Sequence, residues 1–168
     1  MQRFLFVFIA VLTVLFTVQL IDVVHNAVVL PWTAFLAKAS AWLIHPFDAD
    51  MIAYGKVLQS VRTGHGVSIE PGCNGVEACI ILFAAMIAFP STLKQKMIGM
   101  TSGFVAVQAL NLIRIITLYY LNIWNKTWFD FAHNYLWQAL IMLDVVVVWL
   151  IWVRFVTRKE AAEHVPTA

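Results

Sequence analysis

The sequence predicts an all-α polytopic membrane protein with about four transmembrane helices, an interfacial helix and a short extracytoplasmic hairpin. Hydrophobic residues make up 62% of the 168 residues and charged residues only 12%, whereas a soluble domain has roughly 45–50% and 25%. Several long stretches carry almost no charge, and each is long enough to cross a hydrocarbon core about 30 Å thick. One polar segment, residues 48–71, separates them. We therefore expect a single membrane-embedded domain over residues 1–168.

The N-terminal region, residues 1–49, is predicted to hold two helices. Phe4–Ile21 has 18 residues without a charge, and we interpret it as a signal anchor because no small-x-small cleavage site follows it cleanly. Residues 27–44 are apolar but contain a proline and a lysine. We predict a helix in the outer interface, anchored by Trp32 and Trp42; a second span is the alternative.

The predicted catalytic core, residues 50–153, begins with the polar segment. Two short runs with strand character flank a Thr-Gly-His-Gly turn, which is typical of a hairpin. Three apolar stretches follow, and each contains one acidic or basic residue, in order Glu77, Arg114 and Asp144. We predict the strands at 56–61 and 67–70 and the spans at Val76–Leu93, Met97–Trp124 and Tyr135–Val153.

The distribution of lysine and arginine predicts the orientation. Lys94 and Lys96 lie between two spans, Arg154 and Arg158 follow the last one, and Arg3 precedes the first. Because short cytoplasmic loops carry the excess of positive charge, we expect both termini and the 154–168 tail in the cytoplasm. The long loop before residue 73 and the loop at 122–134 are then extracytoplasmic, which indicates a multi-pass protein of the cytoplasmic (inner) membrane.

Three chemically active residues are predicted at one depth. Measured along helices from the cytoplasmic ends of their spans, Cys73 lies about 26 Å away, Arg114 about 27 Å and His133 about 32 Å. Each residue alone has an ordinary explanation: a small residue at a helix start, an arginine that reaches the headgroups, or a solvated histidine. Together, at one height, they favour an active site on the extracytoplasmic side.

This trio predicts acyl transfer. Asn74 is a good N-cap, with Glu77 three residues later as in a capping box, so Cys73 precedes a helix N-terminus. That position and a nearby arginine are expected to lower the thiol pKa. The thiolate would attack an amide carbonyl, His133 would protonate the leaving amine, and Arg114 would stabilise the oxyanion.

Other polar residues admit two interpretations each. Glu77 completes the helix cap or orients Arg114 by charge. Asp130 orients the ring of His133 or is solvated in a loop. Asp144 lies mid-span, where a carboxylate is costly, and we expect it to bond Gln108 or another polar group of the third span as a clamp between helices.

These motifs resemble the exosortase/archaeosortase family. Cys73-Asn74-Gly75 heads one span, Asn111-Leu-Ile-Arg114 lies near the end of the next, and His133 heads the last. The resemblance covers residues 50–153, and the surroundings of Cys73 and His133 are closest to exosortase H. It implies that Cys73 is the nucleophile, that Arg114 is the oxyanion or substrate clamp, and that His133 is the acid/base. Asn111 would support Arg114 from the same helix face.

The resemblance also implies the partners. Substrates would be secreted proteins with a C-terminal motif, a transmembrane helix and a basic tail. No nucleic-acid partner is expected, because no Lys/Arg cluster carries interleaved aromatics. No cofactor is expected either, because Cys and His lack metal-ligand spacing. The alternatives are a non-catalytic membrane subunit, in which Arg114 and Asp144 serve helix packing or lipid binding, and, less favoured, a haem or metal carrier that uses His133.

Overall fold

The computed structural model describes residues 2–163, and it confirms an all-α polytopic membrane architecture. Within these residues, four helices are long and apolar enough to cross a membrane: Gln2–Gln19, Asp22–Ile44, Leu93–Trp124 and Lys126–Lys159. The predicted span Val76–Leu93 is not among them, because only Val76–Ala88 of it is helical. Two of the four helices contain a π-helical turn, at His25–Val29 and at Ala132–Leu136, with no break in the helix. The helices are α1 Gln2–Gln19, α2 Asp22–Val24, α3 Leu30–Ile44, α4 Val76–Ala88, α5 Leu93–Trp124, α6 Lys126–Phe131 and α7 Trp137–Glu163.

The central helix of the bundle is α4, which packs against α1, α5 and α7. It is shorter than the sequence predicts, since it ends at Ala88 rather than at Leu93. Phe89 is extended, as expected for a residue that precedes a proline. Thr92 then caps α5 and forms a capping box with Gln95. With 13 residues, α4 is about 20 Å long, which is less than the thickness of a hydrocarbon core of about 30 Å.

The polar segment forms a three-stranded antiparallel sheet in the order β1-β2-β3. The predicted hairpin is present as β2 (Val57–Ser60) and β3 (Gly66–Ser68), but the prediction missed β1 (Met51–Tyr54). Strands β1 and β2 are joined through Gly55, whose φ is +53°, a backbone conformation that glycine adopts without strain. The sheet lies where α3 ends, and α3 packs against β1 and β2.

Two clusters of buried side chains form the core, and each lies at a different end of the bundle. The sheet cluster joins α3, the three strands and the C-terminal part of α5. The helix cluster joins α4, α5 and α7. Members of the sheet cluster include Leu36, Ile44, Met51, Leu58, Ile115 and Tyr119, and members of the helix cluster include Leu82, Met86, Val107, Val145, Trp152 and Val156.

The helix that contains α3 therefore packs at the sheet end of the molecule. Its length and composition also make Asp22–Ile44 a candidate span, so the interfacial position stays a prediction. The opposite end is basic, because Arg3 and Lys96 line one cleft there. Next to Lys96, Trp152 donates a hydrogen bond to the Gln95 carbonyl (3.0 Å). We call these two ends the sheet end and the basic end.

Two predicted irregular regions are helical. In place of a loop over residues 122–134, only Asn125 separates α5 from α6, and its side chain caps α6 by accepting bonds from Thr127 and Trp128. The predicted tail at 154–168 is helical as far as Glu163, and residues 164–168 lie outside the described part of the chain.

Candidate active site

Cys73 lies in an irregular turn between β3 and α4, and two glycines shape this turn. Gly72 has a φ of +82° and Gly75 a φ of +72°, which L-residues adopt only with strain. A Cβ on Gly75 would lie 2.8 Å from Gln108 Nε2 and 3.2 Å from Asn111 Nδ2. The Cys-Asn-Gly sequence therefore ends in glycine for two reasons, its backbone conformation and its close approach to α5.

Side chains from three helices bind the backbone of this turn. Arg114 Nη1 donates to the Gly72 carbonyl (3.3 Å), and the Gly72 N–H donates to Glu77 Oε1 (3.0 Å). Trp32 Nε1 donates to the Asn74 carbonyl (3.4 Å). Irregular backbone at membrane depth is tolerated only where protein or water satisfies it, so these contacts let the turn sit inside the bundle.

The start of α4 differs from the prediction. The N-cap is Gly75 rather than Asn74, so Cys73 lies two residues before the cap rather than one. Asn74 Oδ1 accepts from the Val76 N–H (3.1 Å), and Asn74 Nδ2 donates to Thr33 Oγ1 (3.2 Å). Glu77 binds the N–H of Gly72 instead of that of Asn74, because the turn folds Gly72 back over the first turn of α4.

Arg114 is almost completely buried, with 2% of its surface exposed, and it contacts the thiol directly. Its Nη2 donates to Cys73 Sγ at 3.4 Å, while its Nε has no partner among the described residues. The partners of this buried cation are a sulfur and a carbonyl rather than a carboxylate. A buried cation without a counter-ion stabilises negative charge that develops beside it, here on the sulfur or on an oxygen bound next to it.

The Cys73 thiol is half-buried, and burial raises its pKa above the ordinary value. Arg114 opposes this rise, whereas the carboxylates of Glu77 and Glu70 add to it. The predicted lowering of the thiol pKa is therefore wrong, because loss of water at the turn outweighs the neighbouring guanidinium. At neutral pH the resting side chain of Cys73 is therefore a neutral thiol rather than a thiolate.

His133 and Cys73 line the same cleft, of about 200 Å³, at the sheet end. Ser68 of β3 and Leu118 and Asn122 of α5 also line it. His133 lies in the π-helical turn Ala132–Leu136, a feature that is frequent at functional sites because it re-aims a side chain. The structure thus brings the three residues that the sequence placed at one depth into one region.

Phe129 holds the imidazole of His133 in place. The two rings stack with centroids 5.6 Å apart and planes 5° from parallel. His133 Nδ1 is buried and has no hydrogen-bond partner in residues 2–163. No partner at Nδ1 therefore fixes which ring nitrogen of His133 carries the proton. Sequence reasoning missed Phe129, although the i,i+4 spacing to His133 is readable in the sequence.

The predicted supporting residues have different partners from those expected. Asp130 pairs with Lys126 (3.0 Å) rather than orienting His133. Asn111 Nδ2 donates to Gln108 Oε1 (3.4 Å) rather than supporting Arg114. Asn111 still contributes to the site, because it packs under Gly75.

Gln108 does not bond Asp144 among the described residues, so the predicted clamp between these two side chains is wrong. Its Nε2 donates to Cys79 Sγ at 3.5 Å. Gln108 therefore joins α5 to α4, directly beneath the turn that carries Cys73. Sequence reasoning also missed Trp32 and Thr33, which bind Asn74 across 42 and 41 residues of chain.

Comparison with known proteins adds one positive finding. The family model described as transmembrane exosortase matches residues 1–151. No curated protein and no solved structure matches the chain. Within the described residues, no group of three or more His, Cys, Asp and Glu side chains is placed to hold a metal ion.

Proposed function

The chain belongs to the transmembrane exosortase family, and on that basis we propose that it is a membrane cysteine protease and transpeptidase that cleaves the C-terminal sorting signal of secreted proteins. The observation that carries this proposal is the 3.4 Å contact between Arg114 Nη2 and Cys73 Sγ. It lies beside a cleft that His133 also lines. A nucleophile, a cation for the oxyanion and an acid/base are thus available to one bound amide.

The first half of the reaction forms a thioester. His133 removes the proton of the Cys73 thiol as the sulfur attacks the carbonyl carbon. The carbonyl oxygen becomes an oxyanion, and the buried Arg114 guanidinium donates hydrogen bonds to it. The carbon–nitrogen bond breaks, His133 passes its proton to the departing amine, and the acyl group stays on the sulfur.

The second half transfers the acyl group. An acceptor amine, or water, attacks the thioester while His133 removes a proton from the attacking atom. The thiolate leaves and recovers a proton from His133, which restores the resting state. The raised pKa of the Cys73 thiol fits this sequence, because a neutral thiol and a neutral imidazole exchange one proton in each half.

The proposed substrate class fits the position of the site. A secreted protein that ends in a short motif, a transmembrane helix and a basic tail would place its helix beside the bundle and its motif at the sheet end. The basic end of the bundle is then cytoplasmic by the positive-inside rule, and the cleft opens on the extracytoplasmic side. The thickness of the bilayer thereby selects which peptide bond reaches Cys73.

The test uses a reporter that ends in the C-terminal motif, helix and basic tail of a secreted protein from the same genome. It is co-expressed with the wild-type protein or with Cys73→Ala, His133→Ala or Cys79→Ala. We expect Cys73→Ala and His133→Ala to accumulate normally in membranes and to leave the reporter at full length on a gel. Cys79→Ala is the matched control, because Cys79 is buried below the turn and bonds Gln108; it should process the reporter normally.

The result that overturns the proposal is normal processing by Cys73→Ala. A non-catalytic subunit, the alternative from the sequence, would give that result. In that case, substitutions of Arg114 and Asp144 would lower the amount of protein in the membrane instead of stopping cleavage.

A further inference from the structure

Strand β3 is an edge of the sheet, because β2 is its only neighbouring strand. Ser60 N–H donates to the His65 carbonyl and Ile69 N–H donates to the Lys56 carbonyl, both at 2.9 Å. Residues of an antiparallel strand turn their N–H and C=O groups alternately to the two sides. The main-chain N–H and C=O groups of Val67, which lies between His65 and Ile69, therefore point toward β2. Those of Gly66 and Ser68 point away from β2.

The outward groups of Gly66 and Ser68 differ in their partners. Asn122 Nδ2 of α5 donates to the Gly66 carbonyl at 3.0 Å, so an amide already occupies one ladder position on this edge. Ser68 is exposed, and no residue of the described chain outside the sheet bonds its main-chain N–H or C=O. Ser68 also lines the cleft that contains Cys73 and His133. The unpaired part of the edge thus opens into the candidate active site.

We propose that the substrate segment around the scissile bond binds in the cleft as a fourth strand on β3, with its main chain bonded to the N–H and C=O of Ser68. This inference rests on the proposed function, and it specifies how that function selects its substrate. Strand addition takes affinity from main-chain hydrogen bonds and specificity from the side chains on alternate positions. An extended chain also exposes every peptide carbonyl, which the thiol needs for attack.

The walls of the cleft predict what the alternate side chains meet. Successive side chains of a strand point to opposite faces. On one face lie Ile115 and Leu118 of α5, which line the cleft with Ser68, and this face favours apolar residues. The other face of the added strand points away from α5. We therefore expect the recognised motif to alternate, with apolar residues at every second position.

The first test removes one outward N–H group. Ser68→Pro deletes the donor while keeping extended backbone, since proline is tolerated on an edge strand with its nitrogen facing outward. Losing one main-chain bond worth about 1 kcal/mol should lower reporter processing about fivefold. The matched control is Ala53→Pro on the opposite edge: Val61 N–H donates to the Asp50 carbonyl (2.9 Å), so the N–H of Ala53 also points outward. It should process the reporter at the wild-type rate.

Two results of this test have different meanings. If Ser68→Pro processes the reporter as fast as Ala53→Pro while Cys73→Ala is inactive, strand addition is wrong and the proposed function stands. If Cys73→Ala is active, the proposed function is wrong. Alkylation of Cys73 by iodoacetamide, at equal rates in Ser68→Pro and wild type, checks that the turn is intact.

The second test does not depend on catalysis. In a protein with Cys73→Ala, Cys79→Ala and Ser68→Cys, the new thiol is the only one in the chain. Single cysteines are placed in turn along the reporter motif, and disulfides are formed with a mild oxidant. A strand on β3 places one reporter position opposite residue 68, so the strongest cross-link should form there. Weaker cross-links are expected two residues to either side, and none at the positions between, whose side chains point to the other face. Cross-links at every position, or at none, overturn the proposal.

Discussion

The two halves of the bundle are packed by different means. In the helix cluster, apolar side chains meet across close helix contacts: a Cβ on Gly103 would lie 2.7 Å from Leu82 Cδ2, and one on Gly99 would overlap the Trp152 indole. At the sheet end, by contrast, buried polar groups hold an irregular turn, among them Thr33, Asn74, Asn111 and Arg114. The difference suggests that one half stabilises the bundle and the other positions Cys73.

This comparison separates two kinds of defect. A substitution in the helix cluster should lower the amount of folded protein and leave the activity of each molecule unchanged. A substitution in the polar network should lower the activity of each molecule more than the amount. Reporter processing divided by the amount of protein in the membrane, the processing per molecule, distinguishes the two.

The largest effect is expected for Arg114→Gln. Glutamine keeps hydrogen-bond donors but removes the charge beside Cys73 Sγ, and loss of an oxyanion donor costs about 10²–10³ in rate. We expect processing per molecule to fall by at least about 100-fold. The amount of protein should be maintained, because the substitution removes a buried charge that has no carboxylate partner. A fall in amount alone, with normal activity per molecule, would assign Arg114 to helix packing.

A smaller effect, of the opposite kind, is expected for Gly99→Val. The new side chain would displace the Trp152 indole and break its bond to the Gln95 carbonyl (3.0 Å). Overpacking of this sort costs about 1–3 kcal/mol, which should appear as a lower temperature of aggregation in detergent and as less protein in the membrane. The control is Ala109→Val at an exposed position of the same helix, which adds a valine without the clash.

Normal processing per molecule in Gly99→Val would support the division of roles between the two halves. A loss of activity per molecule equal to that of Arg114→Gln would contradict this division. In that case the helix cluster would also position the turn, through α4, and the two halves would be one cooperative unit.

Substitutions of two glycines separate two contributions to the stability of the turn, the positive φ of the backbone and the close contact with α5. Gly72→Ala and Gly75→Ala both force a side chain onto a positive φ, at a cost of about 1–2 kcal/mol each. Around Gly72 nothing lies within 4 Å of the added Cβ, whereas at Gly75 it meets Gln108. Gly75→Ala should therefore lower both the aggregation temperature and processing more than Gly72→Ala. Equal effects would show that contact with α5 is unimportant for the turn.

The proximity of Cys73, Arg114 and His133 could be predicted from the sequence because a helix has a fixed rise per residue. In the structure Arg114 contacts Cys73, and His133 lines the same cleft as Cys73. The depth of the three residues in the membrane stays a prediction. The family resemblance was confirmed by the match over residues 1–151. The roles of the three residues stay predictions, which the processing assays test.

Other features depended on tertiary contacts or on signals that were overlooked. The sign of the thiol pKa shift depends on how much water reaches Cys73, which no spacing shows. Asn111 lies near Arg114 on α5, yet it bonds Gln108, because one helix face offers several partners. Two local signals were readable: Asn125 is a good N-cap for α6, and Lys126 lies four residues before Asp130, the spacing of a helical ion pair.

The smallest effect concerns the protonation of Cys73, and it tests the polar half directly. Burial raises the thiol pKa and Arg114 lowers it, so removing the guanidinium should raise the pKa further. In Cys79→Ala, Cys73 is the only thiol, and iodoacetamide reacts with its thiolate form. Because the pKa of Cys73 is raised, the rate of alkylation should keep rising at pH values above the ordinary cysteine pKa of about 8.5. Adding Arg114→Gln should move this rise to higher pH, because the reactive thiolate loses its neighbouring positive charge. A profile that is unchanged by Arg114→Gln would mean that the guanidinium does not act on the sulfur. The loss of processing in that variant would then have to come from the oxyanion alone.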